Sequence, residues 1–175
     1  MNTEKYRNVI LFFAENVPNL GKTKLNKLLY FLDFDHFEKY GTSVTDDSYI
    51  NKDLGPVPEH SEEIVCAMQE AKLLEVHPEP LIDYIRYTLL PLGQHDPSAF
   101  LPTEMEMLCG VADKWHHHTA QEIVIASHGE APWIATRKGE QIPYALAYYR
   151  GKFENAPHHD EDLVETATCP DTQDS

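Results

Sequence analysis

The chain has 175 residues, which is long enough for one domain with a substantial hydrophobic core. Its 29 acidic residues against 14 lysines and arginines give a formal net charge of −15. Such a charge disfavours nucleic acid as a partner, serves solubility and would attract a basic protein.

Cysteine content and hydropathy argue against a disulfide-rich, a zinc-binding, a membrane-spanning and a secreted protein. The three cysteines are widely spaced and form no CxxC pair, so neither a disulfide framework nor a cysteine zinc site is expected. We expect Cys66 and Cys109 to be buried, reduced thiols. No run of about 18 apolar residues is present, so no membrane span is predicted. The N-terminal segment has acidic and polar residues among its apolar ones, unlike a secretory signal, and the expected location is the cytoplasm.

Two helices are predicted at the start of the chain. The first covers Thr3–Asn16, with Thr3 as its N-cap, and Pro18 lies in the turn that follows. The second covers Lys22–Tyr40, and Gly41 ends it because glycine adopts the left-handed conformation at little cost. The short connection predicts that the two helices pack as a hairpin.

Four side chains of the second helix, spaced three residues apart, lie along one side of it. They are Lys27, Tyr30, Asp33 and His36. One interpretation makes them a polar rim of the helical hairpin, with Lys27 and Asp33 satisfied by loops. The other makes them a ridge that contacts a partner protein.

The middle of the chain changes from helical to extended patterns. A short extended piece is predicted at Tyr49–Asn51. Gly55–Pro58 is predicted as a rigid turn, because each proline fixes its own φ and restricts its neighbour. A third helix is predicted from Glu59 to Leu74.

Alternating residues predict a β-hairpin after the third helix. Leu74–His77 and Tyr84–Leu89 are rich in β-branched and aromatic residues. We expect a two-stranded antiparallel sheet, to which a segment near Tyr49 could add a third strand. Because an isolated hairpin is marginal in water, this one should lie on the helices.

Two capping boxes predict helices in the second half of the chain. Thr103 and Glu106 form the first box, and the helix that they begin ends near His116. Thr119 and Glu122 have the same spacing and begin a shorter helix.

The end of the chain is predicted to be less regular. An irregular segment precedes a last short helix at Pro143–Tyr149, and the polar, acidic sequence from Gly151 onward predicts a disordered or loosely draped tail. The expected fold class is therefore α+β and mainly α-helical, a helical bundle with a small two- or three-stranded antiparallel sheet.

Consecutive histidines raise the question of a metal site. His116–His118, with Cys109 and His128 nearby in sequence, supplies ligand types that suit zinc. Adjacent residues of a helix point about 100° apart, so three consecutive histidines cannot all face one ion. Their position at a predicted helix end is explained by capping of carbonyl groups. We therefore predict no metal site, although a hydrolase or metalloenzyme using His116, His118 or His128 is kept as an alternative.

Paired carboxylates are the other catalytic candidates. Asp33 and Asp35 diverge on a helix, and Asp46-Asp47 is typical of a turn. No GxSxG, P-loop, GxGxxG or HExxH motif is present. The sequence therefore predicts no enzyme, no catalytic residue and no cofactor.

One block of sequence matches a family signature. It contains a Lys-Leu-x-Lys-Leu-Leu-Tyr-Phe helix, a Tyr-Gly turn, an extended piece and a Gly-Pro-Val sequence, here Lys24–Phe31, Tyr40-Gly41, Tyr49-Ile50 and Gly55-Pro56-Val57. This block resembles the N-terminal signature of the Panacea domain family, also called SocA-like.

A second block, Ser127–Ala147, is similar to the C-terminal signature of the same family. The residues that carry the match are His128, Trp133, Gly139, Ile142 and Tyr144. Asp53-Leu54 departs from the pattern, because an aromatic residue is common before the glycine, and the acidic tail lies outside it. The two blocks predict a Panacea-like domain at residues 1–150 and a flexible acidic tail at residues 151–175.

The resemblance implies an antitoxin of a bacterial or phage toxin–antitoxin pair. Members of the family neutralise toxins through protein–protein contact and are mainly helical with a small antiparallel sheet. The expected partner is thus a cognate toxin protein, not nucleic acid or a membrane, and a homo-oligomer is left open. The alternative is an adaptor or chaperone-like module that presents its partner to a protease or other machinery. We expect the shared motif residues to be structural: Leu28, Tyr49, Gly55, Pro56, Val57, His128, Trp133, Gly139 and Tyr144.

Overall fold

Helices dominate the computed structural model, which describes residues 1–80 and 85–150. The helices and strands are α1 Thr3–Asn16, α2 Lys22–Tyr40, β1 Tyr49–Lys52, β2 Gly55–Pro58, α3 Ser61–Glu70, β3 Leu74–Pro80, β4 Ile85–Pro91, α4 Pro102–Trp115, α5 Ala120–His128 and α6 Ala131–Ile134, with 3-10 turns at Pro97–Ala99 and Tyr144–Tyr149. The prediction of a mainly helical α+β fold is confirmed. The predicted tail lies outside the described residues.

Helix α2 lies at the centre of the domain. It packs against α4, α5, β2 and the 3-10 turn Tyr144–Tyr149. Leu28, Leu29 and Leu32 of its apolar stripe are fully buried, as predicted. Because neighbours surround the middle of the helix, polar side chains there, such as Lys27 and Asp33, are also removed from water.

The helix ends are only partly as predicted. Gly41 ends α2 at φ 75°, which confirms its role, and the Thr119–Glu122 capping box begins α5. The N-cap of α1 is Asn2 instead of Thr3, since its side chain accepts bonds from the next turn. The box at α4 also begins two residues earlier than predicted. The Glu104 carboxylate accepts the backbone N–H of Leu101, at 2.8 Å.

The third helix is shorter than predicted. Helix α3 covers Ser61–Glu70 instead of Glu59–Leu74, and Lys72 follows it in the left-handed region at φ 55°. The last predicted helix is a 3-10 turn, and a short α6 lies within the segment predicted as irregular.

Two separate antiparallel sheets replace the single sheet that the sequence predicted. The hairpin β3–β4 is confirmed, but no strand near Tyr49 joins it. Strand β1 instead pairs with β2, so Gly55–Pro58 is a strand and not only a turn. The other edge of β1 bonds to residues 139–142, where Asn51 donates its N–H to Glu140 O at 2.9 Å and Ile142 donates to Tyr49 O at 2.7 Å.

The core lies between α1, α2, α3 and α4. It contains Tyr6, Phe13, Phe31 and Leu108, each at most 1% exposed. Among the residues that the structure describes, no helix is long and apolar enough to cross a bilayer.

The prediction that Cys66 and Cys109 are buried is wrong. Cys109 is an exposed free thiol. Cys66, on α3, is half-buried.

Candidate functional site

The two sequence blocks that carry the family resemblance meet in space. Tyr30 of the first block donates its hydroxyl to the Glu130 carboxylate of the second, at 2.7 Å. Asn51 donates its side-chain amide to Thr136 Oγ1, at 2.9 Å. We call this contact surface between Lys22–Pro58 and Ser127–Ala147 the block junction.

The tightest part of the block junction lies at Gly55. Strand β2 passes so close to α2 and α5 that a β-carbon on Gly55 would lie 2.6 Å from Ser127 Oγ and 3.1 Å from Lys27 Nζ. Gly55 also has a φ of 90°, in the region that favours glycine. Both features explain why a glycine stands here.

Lys27 is buried beside this glycine. Its side-chain Nζ donates to the backbone oxygen of Pro56 at 2.6 Å, and the residue is 1% exposed. Burial lowers the pKa of the Lys27 amine from 10.5 to about 7. The lysine therefore fixes the backbone of β2 against α2 as a largely desolvated amine.

Asp33 organises the loop between α2 and β1. Its Oδ1 accepts the backbone N–H groups of Val44 and Thr45, each at 2.8 Å. Its Oδ2 accepts the hydroxyls of Thr45 and Tyr49, the latter at 2.8 Å. Burial raises the pKa of the Asp33 carboxyl, and the hydrogen bonds from Thr45 oppose that rise.

A second buried carboxylate, Asp47, extends this polar network. It accepts the Tyr6 hydroxyl at 2.9 Å and contacts His60 Nδ1 at 2.7 Å. Tyr144 of the second block donates to the backbone oxygen of Asp47, at 2.7 Å. Sequence reasoning missed Asp47 because Asp46-Asp47 was explained as a turn. Of these two residues, only Asp46 has a left-handed turn conformation, with a φ of 57°.

Glu130 of the second block and Arg150, which follows that block, lie on the other side of the block junction. Arg150 donates to both oxygens of Glu130, at 2.6 and 2.8 Å, and pairs with Asp35. Its guanidinium also lies over the rings of Tyr30 and Phe31. The motif match gave no signal for Glu130 or Arg150, which lie outside the matched motif positions.

The predicted ridge on α2 lies inside the domain. Lys27, Tyr30, Asp33 and His36 are 1%, 0%, 0% and 2% exposed. His36 Nδ1 donates to the backbone oxygen of Thr42 at 2.5 Å. The four side chains therefore have no accessible surface with which to contact a partner directly. Their bonds to Pro56, Val44 and Thr45 match the other interpretation, in which loops satisfy Lys27 and Asp33.

The remaining motif residues have supporting positions. Trp133 is half-buried; its ring stacks on His128 with centroids 4.0 Å apart, and its Nε1 donates to Lys52 O at 3.2 Å. Gly139 has a φ of 84° and donates its N–H to Asn51 O. The other positions, Leu28, Tyr49 and Pro56, are buried, while Val57 is half-buried.

The histidines of the metal alternative have separate neighbours. His118 packs on Trp115 at the end of α4, and His116 packs on His117. Within residues 1–80 and 85–150, no group of three or more His, Cys, Asp or Glu side chains could hold a metal ion.

Fold and site together define a small, mainly helical α+β domain in which two distant sequence blocks close on each other through buried polar contacts. The model of the family described as antitoxin SocA-like, Panacea domain, matches residues 25–134. The match covers more than half of the chain, so the protein belongs to the SocA-like antitoxin family. Gly139, Ile142 and Tyr144 of the second block lie beyond the matched range. No curated protein and no solved structure matches the chain.

Proposed function

We propose that this protein neutralises a cognate protein toxin by binding it directly. The observation that carries the proposal is the match of residues 25–134 to the SocA-like antitoxin family. On this proposal the protein acts by occupying or distorting its partner and catalyses no reaction.

Burial and charge support this proposal and limit where the toxin would bind. Lys27, Tyr30, Asp33 and His36 of the central helix are at most 2% exposed and are used in internal bonds. Toxin contacts would therefore fall on outer surfaces that the block junction supports. The net charge of −15 favours a toxin with a basic surface.

Co-expression with the product of the adjacent gene tests the proposal. The neighbouring protein is expressed from an inducible promoter, alone and together with this chain, and colony formation is measured. Direct neutralisation predicts that growth is restored, that the two proteins co-purify and that the amount of the neighbouring protein stays constant. No rescue and no complex would refute it.

The same experiment separates neutralisation by binding from the adaptor alternative. An adaptor would lower the amount of the neighbouring protein in cells that contain its protease, and would lose the rescue in cells that lack it. Immunoblots of both strains at equal induction distinguish the two outcomes.

A further inference from the structure

One face of the paired strands β3 and β4 is apolar at every pair that the structure describes on that face. Residues directly opposite each other in an antiparallel pair project to the same face, and alternate residues along a strand share it. The register places four cross-strand pairs on this face: Leu74–Pro91, Val76–Leu89, Pro78–Tyr87 and Pro80–Ile85.

The domain covers only the inner half of this apolar face. Leu74 and Leu89 are 2% and 1% exposed and belong to the core, where β3 packs on α3 and β4 packs on α1. Farther out, Pro78 and Pro80 are exposed and Ile85 is 49% exposed. The apolar face thus continues from the core into solvent.

The opposite face of the same hairpin has the character of an ordinary surface. It pairs Glu79 with Arg86, whose side chains form an ion pair at 2.6 Å, His77 with Thr88, and Glu75 with the partly exposed Leu90. Single exposed apolar residues are common on protein surfaces and need no explanation. A continuous apolar face opposite a polar one is different, because such a face indicates a surface against which something packs. A two-stranded hairpin is also marginal in water without such packing.

We propose that the outer half of this face, Pro78, Pro80, Ile85 and Tyr87, is the docking surface for the toxin. The matching surface of the toxin is an apolar patch bordered by lysine and arginine side chains. This inference rests on the proposed function and adds the contact surface to it. The face belongs to the segment matched by the antitoxin family, residues 25–134.

Charge selects a basic partner protein over a second copy of this chain. Two copies would each carry a formal net charge of −15 over the whole chain, and their overall repulsion opposes pairing. A partner whose apolar patch is bordered by basic side chains is instead attracted to the acidic chain. Its association with this chain should weaken as the salt concentration rises.

Matched lysine substitutions on the two faces of β4 test the surface. Ile85→Lys places a charge on the apolar face, and Leu90→Lys places the same charge on the opposite face, where it lies across from Glu75. Both side chains are partly exposed, at 49% and 39%, so both variants should fold, which thermal melting verifies. Binding of the purified full chain to the adjacent gene product is measured by calorimetry.

The expected result is that Ile85→Lys weakens binding about tenfold or more and abolishes rescue of growth, whereas Leu90→Lys changes the affinity less than about threefold. Ile85→Glu should weaken binding less than Ile85→Lys, because a basic border attracts the acid.

Three results would overturn the proposal. Equal affinities of the wild type and Ile85→Lys for the adjacent gene product would show that the toxin does not dock on this surface. They would not contradict the proposed function. Equal losses with Ile85→Glu and Ile85→Lys would contradict the basic border. Failure of the wild-type chain to bind would refute the proposed function and this surface together.

Discussion

A β-carbon at Gly55 would lie 2.6 Å from Oγ of Ser127, a distance that real β-carbons essentially never show. Ser127 cannot simply turn away, because its hydroxyl donates to Val124 O at 2.8 Å and the residue is fully buried. This contact fixes how closely strand β2 approaches α5. The two family blocks therefore depend on a residue without a side chain at the point where they meet.

Substituting Gly55→Ala should destabilise the domain by about 3 kcal/mol, the combined scale of overpacking and an unfavourable positive φ. Urea denaturation followed by circular dichroism measures the change in the free energy of unfolding.

Gly139→Ala is the matched control for this substitution. Gly139 also has a positive φ, 84°, but no described atom lies within 4 Å of the position of its β-carbon. It should therefore cost only the backbone strain, about 1 kcal/mol. Equal losses for the two variants would contradict the argument that crowding at Ser127 requires the glycine.

The sequence predicted helices well where local chemistry decides them. α2 has matching bounds because its apolar spacing and Gly41 are local signals. The capping box of α4 was placed two residues late because the true N-cap, Leu101, uses its backbone N–H, which any residue provides. Strand β2 was missed because its two prolines outweighed its pairing with β1, whose other edge is bonded by a distant segment at residues 139–142.

The sequence predicted which residues of α2 belong to the candidate site, but it did not predict that their side chains are buried. Spacing on α2 selected Lys27, Tyr30, Asp33 and His36, and all four make specific internal bonds or contacts. Periodicity reports only which residues share a side of a helix. The partners that bury that side, such as Glu130, come from elements far along the chain.

Asp33→Ala should lower the free energy of unfolding by about 3–5 kcal/mol. The substitution leaves the buried N–H groups of Val44 and Thr45 and the hydroxyl of Tyr49 without their acceptor. Equilibrium denaturation in urea gives the value.

Asp33→Asn is the comparison for this variant. Its amide oxygen can still accept both backbone N–H groups, so the loss should be less than half that of the alanine variant. A loss below about 1 kcal/mol for Asp33→Ala would mean that the loop does not depend on this carboxylate.

His60 should make stability depend on pH near neutrality. Its hydrogen bond to Asp47 raises the pKa of the His60 imidazole above its ordinary value of 6.5. The charged form is thus favoured in the folded state, so this contribution is complete below pH 6.5 and is lost as pH rises through the raised pKa. The stability difference between the wild type and His60→Gln, measured in urea from pH 5.5 to 8, should shrink toward pH 8. A constant difference would refute the coupling.

Lys27 should produce the opposite dependence in a higher range of pH. Burial lowers the pKa of its amine from 10.5 to about 7 in the folded chain, so the unfolded chain binds more protons between these values. Stability due to this group therefore rises with pH from 7 upward, by at most about 1.4 kcal/mol per pH unit.

Lys27→Met isolates this effect, because methionine keeps an unbranched apolar stem and does not titrate. The free energy of unfolding of the wild type minus that of Lys27→Met should increase between pH 7 and 9 and level off below pH 7. Urea titrations at half-unit steps of pH measure it, ending at pH 9 so that tyrosine ionisation does not contribute. A difference that stays level from pH 7 to 9 would mean that Lys27 remains an ammonium in the fold, bound as a cation to the Pro56 carbonyl.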